Sequence, residues 1–287
     1  MSRIYVLYNP IAGNGACGKN INILNDVFAG EDLTYIDYFN MEDSVEDFFN
    51  KLEENDKVVL CGGDGTINYF INQLDTDKIE NEVFYYPLGS GNDFYNDVTS
   101  DKSNKVIALN QYIRNLPYVE VNGMKRRFIN AIGYGIDGYC CEEGDRVRLK
   151  KPGKPVNYTP IALKGLAYAF HRVNATITLD GEVHKYKNVW MAPALNGRYY
   201  GGGMMCAPNQ DRINNNNKVT VIVVATRIRL LLLIAFASIF KGDHLKFKSF
   251  VKEHKACEVN VKFDRPTALQ IDGETVSNVR EYSVYRK

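Results

Sequence analysis

A glycine-rich turn that carries one acidic residue follows the third apolar run of the sequence. The turn is Gly-Gly-Asp-Gly-Thr and extends from Gly62 to Thr66. Glycines let backbone N–H groups approach a phosphate without an obstructing Cβ, and a helix N-terminus adds a favourable field. The Asp64 carboxylate among those amides indicates a cation, which beside a nucleotide phosphate is usually Mg²⁺. The alternative is that Asp64 caps the helix that follows and that the glycines only permit the turn.

Two further turns of small residues follow apolar strands in the same third of the chain. Asn-Pro-Ile-Ala-Gly-Asn-Gly occupies residues 9–15, and Pro-Leu-Gly-Ser-Gly-Asn-Asp-Phe occupies residues 87–94. Each turn alone could be an ordinary chain reversal. Because the carboxyl ends of parallel strands meet at one edge of a sheet, we expect the three turns to form a common crevice of nucleotide size.

Short apolar strands alternate with helical patterns over the first 118 residues. The predicted strands cover residues 4–8, 33–39, 58–61 and 83–87, and the predicted helices cover residues 19–28, 44–54 and 66–74. This alternation predicts a Rossmann-like three-layer α/β nucleotide domain, whose parallel sheet is covered by helices on both faces.

From residue 119 the pattern changes to short strands separated by turns. Asn122-Gly123 and Asp180-Gly181 are strong hairpin signals. These strands predict a second, mainly antiparallel β-sandwich domain over residues 119–277, which would hold the substrate. The alternating C-terminal strand is predicted to return to the first domain, so that residues 1–118 and 278–287 together form the α/β domain.

Five motifs occur along the chain, in the order NPIAG, GGDGTIN, PLGSGNDF, NGRYYGGGM and QIDGE. Together they resemble the diacylglycerol kinase catalytic family, which includes bacterial lipid kinases and the sphingosine and ceramide kinases. The resemblance covers nearly the whole chain. GGDGT alone is shared with NAD kinases and phosphofructokinases, whereas PLGSGNDF together with a late IDGE is much more specific to lipid kinases.

The resemblance implies an ATP- and Mg²⁺-dependent kinase and suggests roles for individual residues. Glu274 matches the family's proton acceptor for the lipid hydroxyl, and a carboxylate within reach can take that proton during phosphoryl transfer. Asp64 would lie near the catalytic Mg²⁺ and Asp93 would line the acceptor side. With Asp272, these residues form the predicted catalytic set, although Asp272-Gly273-Glu274 without the family is a plain hairpin tip. The predicted nucleotide-binding residues are Asn9, Pro10, Ala12, Gly13, Gly62, Gly63, Asp64, Gly65, Thr66, Asn68, Ser90, Gly91 and Asn92.

One stretch departs from the family pattern. Related bacterial kinases often carry an Asp-Gly pair just before the strand that corresponds to residues 218–223, and its Asp serves a structural Mg²⁺. Here residues 212–217 read Arg-Ile-Asn-Asn-Asn-Asn, and asparagine amides are weaker, neutral cation ligands. Asp211 lies nearby but shifted, so a structural metal site between Asp211 and Lys218 is doubtful. Mg²⁺ brought with ATP is unaffected.

Composition limits the partners. The net charge is +1, so no overall field favours nucleic acid.

The longest apolar run covers residues 230–240 and is too short to span a bilayer core of roughly 30 Å, so no transmembrane segment is predicted. This run is either part of the core or the lip of a lipid pocket. The basic run at 146–154 is either a solvated loop or a contact with an anionic membrane. Edge strands of the β domain could pair and give a homodimer.

The six cysteines form neither a disulfide framework nor a zinc pattern, which is typical of a reduced, cytoplasmic protein. We therefore predict a cytoplasmic lipid kinase, peripherally associated with the membrane, that transfers the γ-phosphoryl group of ATP to diacylglycerol and yields phosphatidic acid. One alternative is an NAD kinase-like enzyme, which shares GGDGT but not its pairing with PLGSGNDF and IDGE. The other is a catalytically silent regulator that binds lipid or nucleotide, which the missing Asp-Gly pair would suit.

Overall fold

The computed structural model describes residues 3–151 and 154–286 and divides into two compact units. The boundary falls between Leu116 and Pro117. Each unit has its own sheet and its own hydrophobic core. Among the described residues, no helix is both long enough and apolar enough to cross a membrane.

The first unit alternates strands with short helices. Its strands are β1 (Arg3–Tyr8), β2 (Asp32–Asp37), β3 (Lys57–Gly62), β4 (Glu82–Pro87) and β5 (Ile107–Ala108). Its α-helices are α1 (Ala16–Asn20), α2 (Leu24–Val27), α3 (Val45–Asn50), α4 (Asp64–Ile71), α5 (Asp93–Val98) and α6 (Asn110–Ile113). The sheet order is β2-β1-β3-β4-β5, in which the first four strands are parallel and β5 is antiparallel to β4.

Both faces of this sheet are covered, which explains its continuously apolar strands. Val6 of β1 and Val59 of β3 belong to a cluster with residues of α1 and α2 on one face. On the other face the ring of Tyr5 packs edge-on against Phe48 of α3, with 5.4 Å between the ring centroids. The predicted three-layer α/β domain is therefore confirmed, although its helices begin and end a few residues away from the predicted bounds.

The second unit is mainly β structure. Its strands are β6 (Tyr118–Val121), β7 (Met124–Arg127), β8 (Ala131–Tyr134), β9 (Val173–Leu179), β10 (Glu182–Met191), β11 (Ala194–Leu195), β12 (Tyr199–Tyr200), β13 (Met204–Met205), β14 (Val219–Ala225), β15 (Val251–Ala256), β16 (Val259–Ile271) and β17 (Glu274–Tyr285). Its α-helices are α7 (Ile136–Lys150), α8 (Tyr158–Lys164), which continues into a π-helical turn at Gly165–Ala169, and α9 (Arg229–Ile239).

One antiparallel sheet of ten strands folds over itself in this unit. β16 pairs with both β8 and β9, which lie end to end. On their other side, β8 pairs with β11 and β9 pairs with β10, and β10 and β11 are nearly continuous. β14 lies next to this pair of strands, and β15 lies next to β14. The Tyr282 hydroxyl of β17 donates a hydrogen bond to the Ala192 carbonyl before β11 at 2.8 Å. Along a flat sheet those strands would be three spacings of roughly 4.8 Å apart. The sheet therefore forms two layers, and the predicted mainly antiparallel β domain is confirmed.

The β14 strand is buried on both sides, which explains its unbroken apolar sequence. Val221 and Val223 belong to the core between the two layers, whereas Ile222 and Val224 belong to an outer cluster with residues of α7 and α9. Helices thus cover the outside of the sandwich at this strand.

Three hairpins turn on an Asn-Gly or Asp-Gly pair. Asn122-Gly123 joins β6 to β7, Asp180-Gly181 joins β9 to β10, and Asp272-Gly273 joins β16 to β17. Both residues of each pair have positive φ, as the tight two-residue turn requires. The hairpins predicted at the first two pairs are confirmed.

The prediction that the C-terminal strand returns to the first unit is wrong. β17 pairs with β16 on one side and with β6 on the other, where Val284 lies opposite Val119. Its alternating pattern predicts a strand correctly but carries no information about the neighbouring strand. β7 and β15 are the edges of this sheet, and a homodimer through them remains a prediction.

The α7 helix is not predicted from the sequence, and residues 146–150 of the basic run lie in it. The interpretation of these residues as a loop is therefore wrong. Arg146 forms ion pairs with Glu142 and Glu143, and Arg148 forms one with Asp145 at 2.7 Å. The positive charges of the helix are thus partly balanced by its own carboxylates. Residues 152–153 of the run lie outside the described residues.

Candidate active site

The turns that follow β1, β3 and β4 are in contact at one edge of the first sheet. A Cβ built on Gly89 would lie 2.3 Å from the Cα of Gly63, and one built on Gly13 would lie 2.6 Å from the Leu88 carbonyl oxygen. No side chain fits at such distances, so glycine at these positions allows the three backbones to touch. The three turns meet, as the sequence predicts.

Asp64 connects the second of these turns to the third. Its Oδ2 accepts a hydrogen bond from the backbone N–H of Asp93 at 2.9 Å, and its Oδ1 accepts one from the N–H of Phe94 at 2.8 Å. Both donors lie in the first turn of α5, where N–H groups have no partner within the helix. The alternative that Asp64 caps its own helix is wrong, because its carboxylate caps α5 instead.

The other predicted nucleotide-binding residues differ in exposure. Thr66 and Asn68 of α4 are buried, and the side-chain amide of Asn92 donates to the Gly89 carbonyl at 2.9 Å. Ser90 and Gly65 are exposed. Apart from its chain neighbours and the nearby backbone of α4, no heavy atom of the described chain lies within 4 Å of a Cβ built on Gly65. The start of α4 therefore has an open side next to its N–H groups, where an anion could approach.

At the first turn, Asn9 accepts a hydrogen bond from the Ile11 N–H through its side-chain oxygen at 3.1 Å, and its own N–H donates to the Cys61 carbonyl at 3.2 Å. The turn after β1 is thus attached to the end of β3. Pro10 and Ala12 within it are partly exposed.

Asp272 lies in the second unit, in the turn between β16 and β17. Its carboxylate accepts three backbone hydrogen bonds, from Ile129 at 2.7 Å, Asn130 at 2.8 Å and Ala131 at 2.9 Å. These bonds hold the chain that enters β8. The side chain therefore has a positioning role that the sequence pattern does not reveal.

Glu274 begins β17 and pairs with an arginine. Its Oε2 lies 2.5 Å from Nη1 of Arg126 on β7, and the Glu274 side chain is 52% exposed. The turn before it is fixed where the Gly273 N–H donates to the side-chain oxygen of Gln270 at 2.6 Å. A carboxylate that is oriented by an arginine and still reaches solvent can meet a substrate hydroxyl. No local motif marks Arg126.

Asp211 begins the stretch, up to Lys218, in which the sequence raised the question of a structural metal site. Hydrogen bonds from the backbone N–H groups of Asn214 and Ile213, at 2.9 and 2.8 Å, lower the pKa of this carboxyl. Within residues 3–151 and 154–286, no group of three or more His, Cys, Asp and Glu side chains is arranged to hold a metal ion.

A buried carboxylate that no sequence motif marked lies at the start of α7. Oδ2 of Asp137 and the hydroxyl of Tyr200 are both buried without a hydrogen-bond partner among the described residues. Burial raises the pKa of Asp137 to about 7, an effect that the nearby Tyr200 hydroxyl partly offsets. A Cβ on Gly138 would lie 1.9 Å from the Ala268 carbonyl oxygen, so glycine at this position lets α7 approach β16. Glycines close to Asp137 in the sequence are the one feature that could have indicated this buried, closely packed site.

Two family models match this chain, one in each unit. Residues 3–118 match the diacylglycerol kinase catalytic domain. Residues 130–283 match the YegS C-terminal NAD kinase beta sandwich-like domain. The chain belongs to the diacylglycerol kinase catalytic family. It is therefore a kinase of the lipid kinase class.

Individual members of this family are distant in sequence. A Mycobacterium tuberculosis protein named diacylglycerol kinase is 24% identical over 256 residues, which cover 86% of this chain and 81% of the relative. YtlR of Bacillus subtilis, a protein provisionally named a lipid kinase, is 27% identical over 171 residues, and this match spans about half of that relative (53%). A crystal structure of a provisionally named diacylglycerol kinase from Bacillus anthracis has a TM-score of 0.70 at 19% identity, covering 100% of this chain and 92% of that one. It shows the shared fold.

Proposed function

We propose that this lipid kinase transfers the γ-phosphoryl group of ATP to the free hydroxyl of diacylglycerol and releases phosphatidic acid and ADP. The observation that carries the nucleotide part is the backbone contact of Gly63 with Gly89 and of Gly13 with Leu88. Three glycine-rich turns in contact at one sheet edge suit a chain of phosphates, because backbone N–H groups in such turns and at helix starts can bind anions. The name of the Mycobacterium tuberculosis relative supports diacylglycerol as the acceptor.

In this proposal the phosphates lie against the turn after β1 and the start of α4. The open side of Gly65 gives them access to the N–H groups of the first helical turn. Ser90 and Asn92 would contact the nucleotide from the turn after β4, and Asp93 would line the acceptor side. Asp64 holds these two turns in register through its bonds to α5.

Mg²⁺ is proposed to arrive with the nucleotide. The oxygens of Asp64 already accept amide hydrogen bonds, yet a carboxylate oxygen has a second lone pair that can bind a cation. Mg²⁺ is commonly held by one or two carboxylates together with phosphate oxygens and waters. A single carboxylate therefore fits an ion brought by ATP, and that ion would neutralise charge on the transferred phosphoryl group.

Glu274 is proposed as the proton acceptor. As the acceptor oxygen forms its bond to the γ-phosphorus, its O–H bond breaks and the proton passes to the Glu274 carboxylate, while ADP leaves with the electrons of the broken P–O bond. Arg126 orients this carboxylate from 2.5 Å. Asp272 acts indirectly, because its bonds to residues 129–131 fix the chain beside the β16–β17 turn.

The test is a transfer assay with labelled ATP and a panel of acceptors in mixed micelles, with and without Mg²⁺. The panel contains diacylglycerol, monoacylglycerol, phosphatidylglycerol, sphingosine and, in solution, NAD. We expect labelled phosphatidic acid from diacylglycerol, and only with Mg²⁺ present. Labelled NADP would support the NAD kinase alternative instead, and ATP binding without transfer to any acceptor would support the silent regulator. The proposal includes action in the cytoplasm, at the surface of the membrane that contains the acceptor.

A further inference from the structure

The α9 helix carries apolar side chains on its outer face as well as on its inner face. On the inner face, Leu232 and Ala235 are buried in the outer cluster of the second unit. On the outer face, Leu230 is 65% exposed, Leu233 39% and Ile234 45%. The spacing i, i+3 and i+4 places these three side chains on one stripe of the helix. A soluble surface helix ordinarily has polar residues there.

Further exposed apolar side chains lie at the ends of this helix and beside it. Ile228 precedes α9 and Phe240 follows it, and both are about half exposed. The π-helical turn next to α9 contributes Tyr168, which is also exposed. Arg229 fastens that turn to α9 because its guanidinium donates to the carbonyls of residues 166 and 167. The stripe therefore belongs to a larger apolar surface, of the kind that marks an interaction site.

Exposed basic residues stand at the two ends of this stripe, and a carboxylate, that of Asp243, lies near the second of them, Lys241. Arg227 and Lys241 stand at the two ends of the helix and are exposed. Neither forms an ion pair within the part of the chain that the structure describes. By contrast, the arginines of α7 pair with carboxylates of the same helix. Apolar side chains between exposed basic residues complement a bilayer with anionic headgroups.

A second copy of the chain is the other occupant to consider. A stable protein interface takes roughly 20–30 residues from each partner. The α9 surface offers three stripe residues and three flanking side chains, Ile228, Phe240 and Tyr168. An amphipathic helix needs no such area to lie in the headgroup region of a membrane, since each inserted side chain contributes separately.

We propose that the outer face of α9, formed by Leu230, Leu233 and Ile234, inserts into the surface of an anionic membrane, with Arg227 and Lys241 at the headgroups. This inference deepens the proposed function, because an enzyme that phosphorylates a membrane lipid must reach its acceptor in a bilayer. The surface anchors the protein and takes no part in the chemistry, so its loss leaves transfer to a dissolved acceptor intact.

The test measures co-flotation of the whole protein with vesicles of phosphatidylcholine that contain or lack phosphatidylglycerol. The variant changes Leu230, Leu233 and Ile234 to Ser. Because each side chain is about half exposed and withdrawn from water on insertion, we expect binding to fall about tenfold for each. The matched control changes the exposed apolar residues Ile23 and Val183 to Ser, which should leave binding unchanged. Binding of the stripe variant equal to that of the wild type, with unchanged thermal stability, would overturn the proposal.

A second variant tests the charges. Changing Arg227 and Lys241 to Gln should weaken binding to vesicles with phosphatidylglycerol by roughly fivefold per residue and leave binding to pure phosphatidylcholine unchanged. An equal loss on both kinds of vesicle would contradict the headgroup role. Sedimentation tests whether a second copy of the chain, rather than a membrane, covers α9. A wild-type dimer that the stripe variant converts to monomers would show that it does.

Activity with two forms of substrate separates this inference from the proposed function. The stripe variant should retain transfer to a short-chain diacylglycerol that is dissolved without vesicles, and lose most transfer to diacylglycerol in vesicles. If the wild type phosphorylates both forms and the variant matches it on both, docking by α9 fails while the function stands. If the wild type phosphorylates neither form but the variant alone loses vesicle binding, the function fails while docking stands.

Discussion

The Asp64 carboxylate accepts the backbone N–H of Asp93 at 2.9 Å, so the first residue of α4 fixes the first residue of α5. Two glycine turns that are separate in sequence are thereby one mechanical unit. A substitution at Asp64 removes a negative charge and also loosens the second turn. Loss of activity alone therefore cannot separate these effects, and stability has to be measured beside it.

Asp64→Asn is expected to lower both stability and activity. The asparagine amide group is a donor, so one of the two N–H groups of α5 loses its acceptor, which costs about 1–3 kcal/mol in the free energy of unfolding. Phosphoryl transfer should fall at least about 100-fold, because the charge beside the phosphates is lost as well. Denaturant unfolding and steady-state kinetics measure the two effects.

Asp101→Asn is the matched control for that variant. Asp101 lies in an exposed turn of the same unit and also accepts a backbone N–H, that of Ser103 at 2.9 Å. Its replacement should change neither quantity appreciably. An Asp64→Asn protein as stable as the wild type would show that the bonds to α5 contribute little.

Alanine substitutions at two glycines of the candidate nucleotide site are expected to change stability in opposite directions. Gly89→Ala introduces a Cβ 2.3 Å from the Gly63 backbone, so the two turns must move apart, and both stability and ATP affinity should fall. Gly65→Ala meets no described atom beyond its chain neighbours and the backbone of its own helix, and it should keep or raise stability by up to about 1 kcal/mol, since alanine favours helix. If phosphates use the open side of Gly65, its ATP affinity should still fall. Calorimetric ATP titration and thermal unfolding distinguish the cases, and full affinity in Gly65→Ala would place the phosphates elsewhere.

The contact of the three turns is predictable from sequence because each of its causes is local. Apolar runs predict strands, glycines after them predict turns, and parallel strands bring their carboxyl ends together. The Asp-Gly and Asn-Gly hairpins are predictable for the same reason, since positive φ at two successive residues restricts the choice of side chain.

The features that are not predictable depend on partners far away in the chain. Glu274 pairs with Arg126, which is 148 residues away, and β17 pairs with β6 rather than with the first unit. The α7 helix lacks a clear apolar period because only a few of its side chains are buried, so its pattern resembles a solvated loop. Such contacts are set by packing of the whole sheet, which local pattern does not encode.

Glu274→Gln is expected to slow transfer without unfolding the protein. The amide cannot accept the hydroxyl proton, and loss of a positioned base typically costs about 100- to 10,000-fold in rate. Because the carboxylate is about half exposed, loss of its ion pair with Arg126 should change stability by less than about 1 kcal/mol. Glu281→Gln is the matched control, since Glu281 lies on the same strand and pairs with Lys262 at 3.3 Å. Equal rates for the two variants would remove Glu274 from the mechanism.

Asp137→Asn is expected to change how stability depends on pH. Burial raises the pKa of Asp137 from its ordinary value of 3.8 to about 7 in the folded protein. The folded state therefore binds the proton more tightly than the unfolded state, and its contribution to stability is complete below about pH 4 and is lost as pH rises through 7. Asparagine is neutral throughout, so the variant should lose this decline and be more stable than the wild type at pH 8, by on the order of 2–4 kcal/mol. Urea unfolding between about pH 4.5 and pH 8 measures the slope, with Asp26→Asn at an exposed position as control. If the free energy of unfolding depends on pH in the same way for the wild type and Asp137→Asn, the Asp137 carboxyl does not cause the decline.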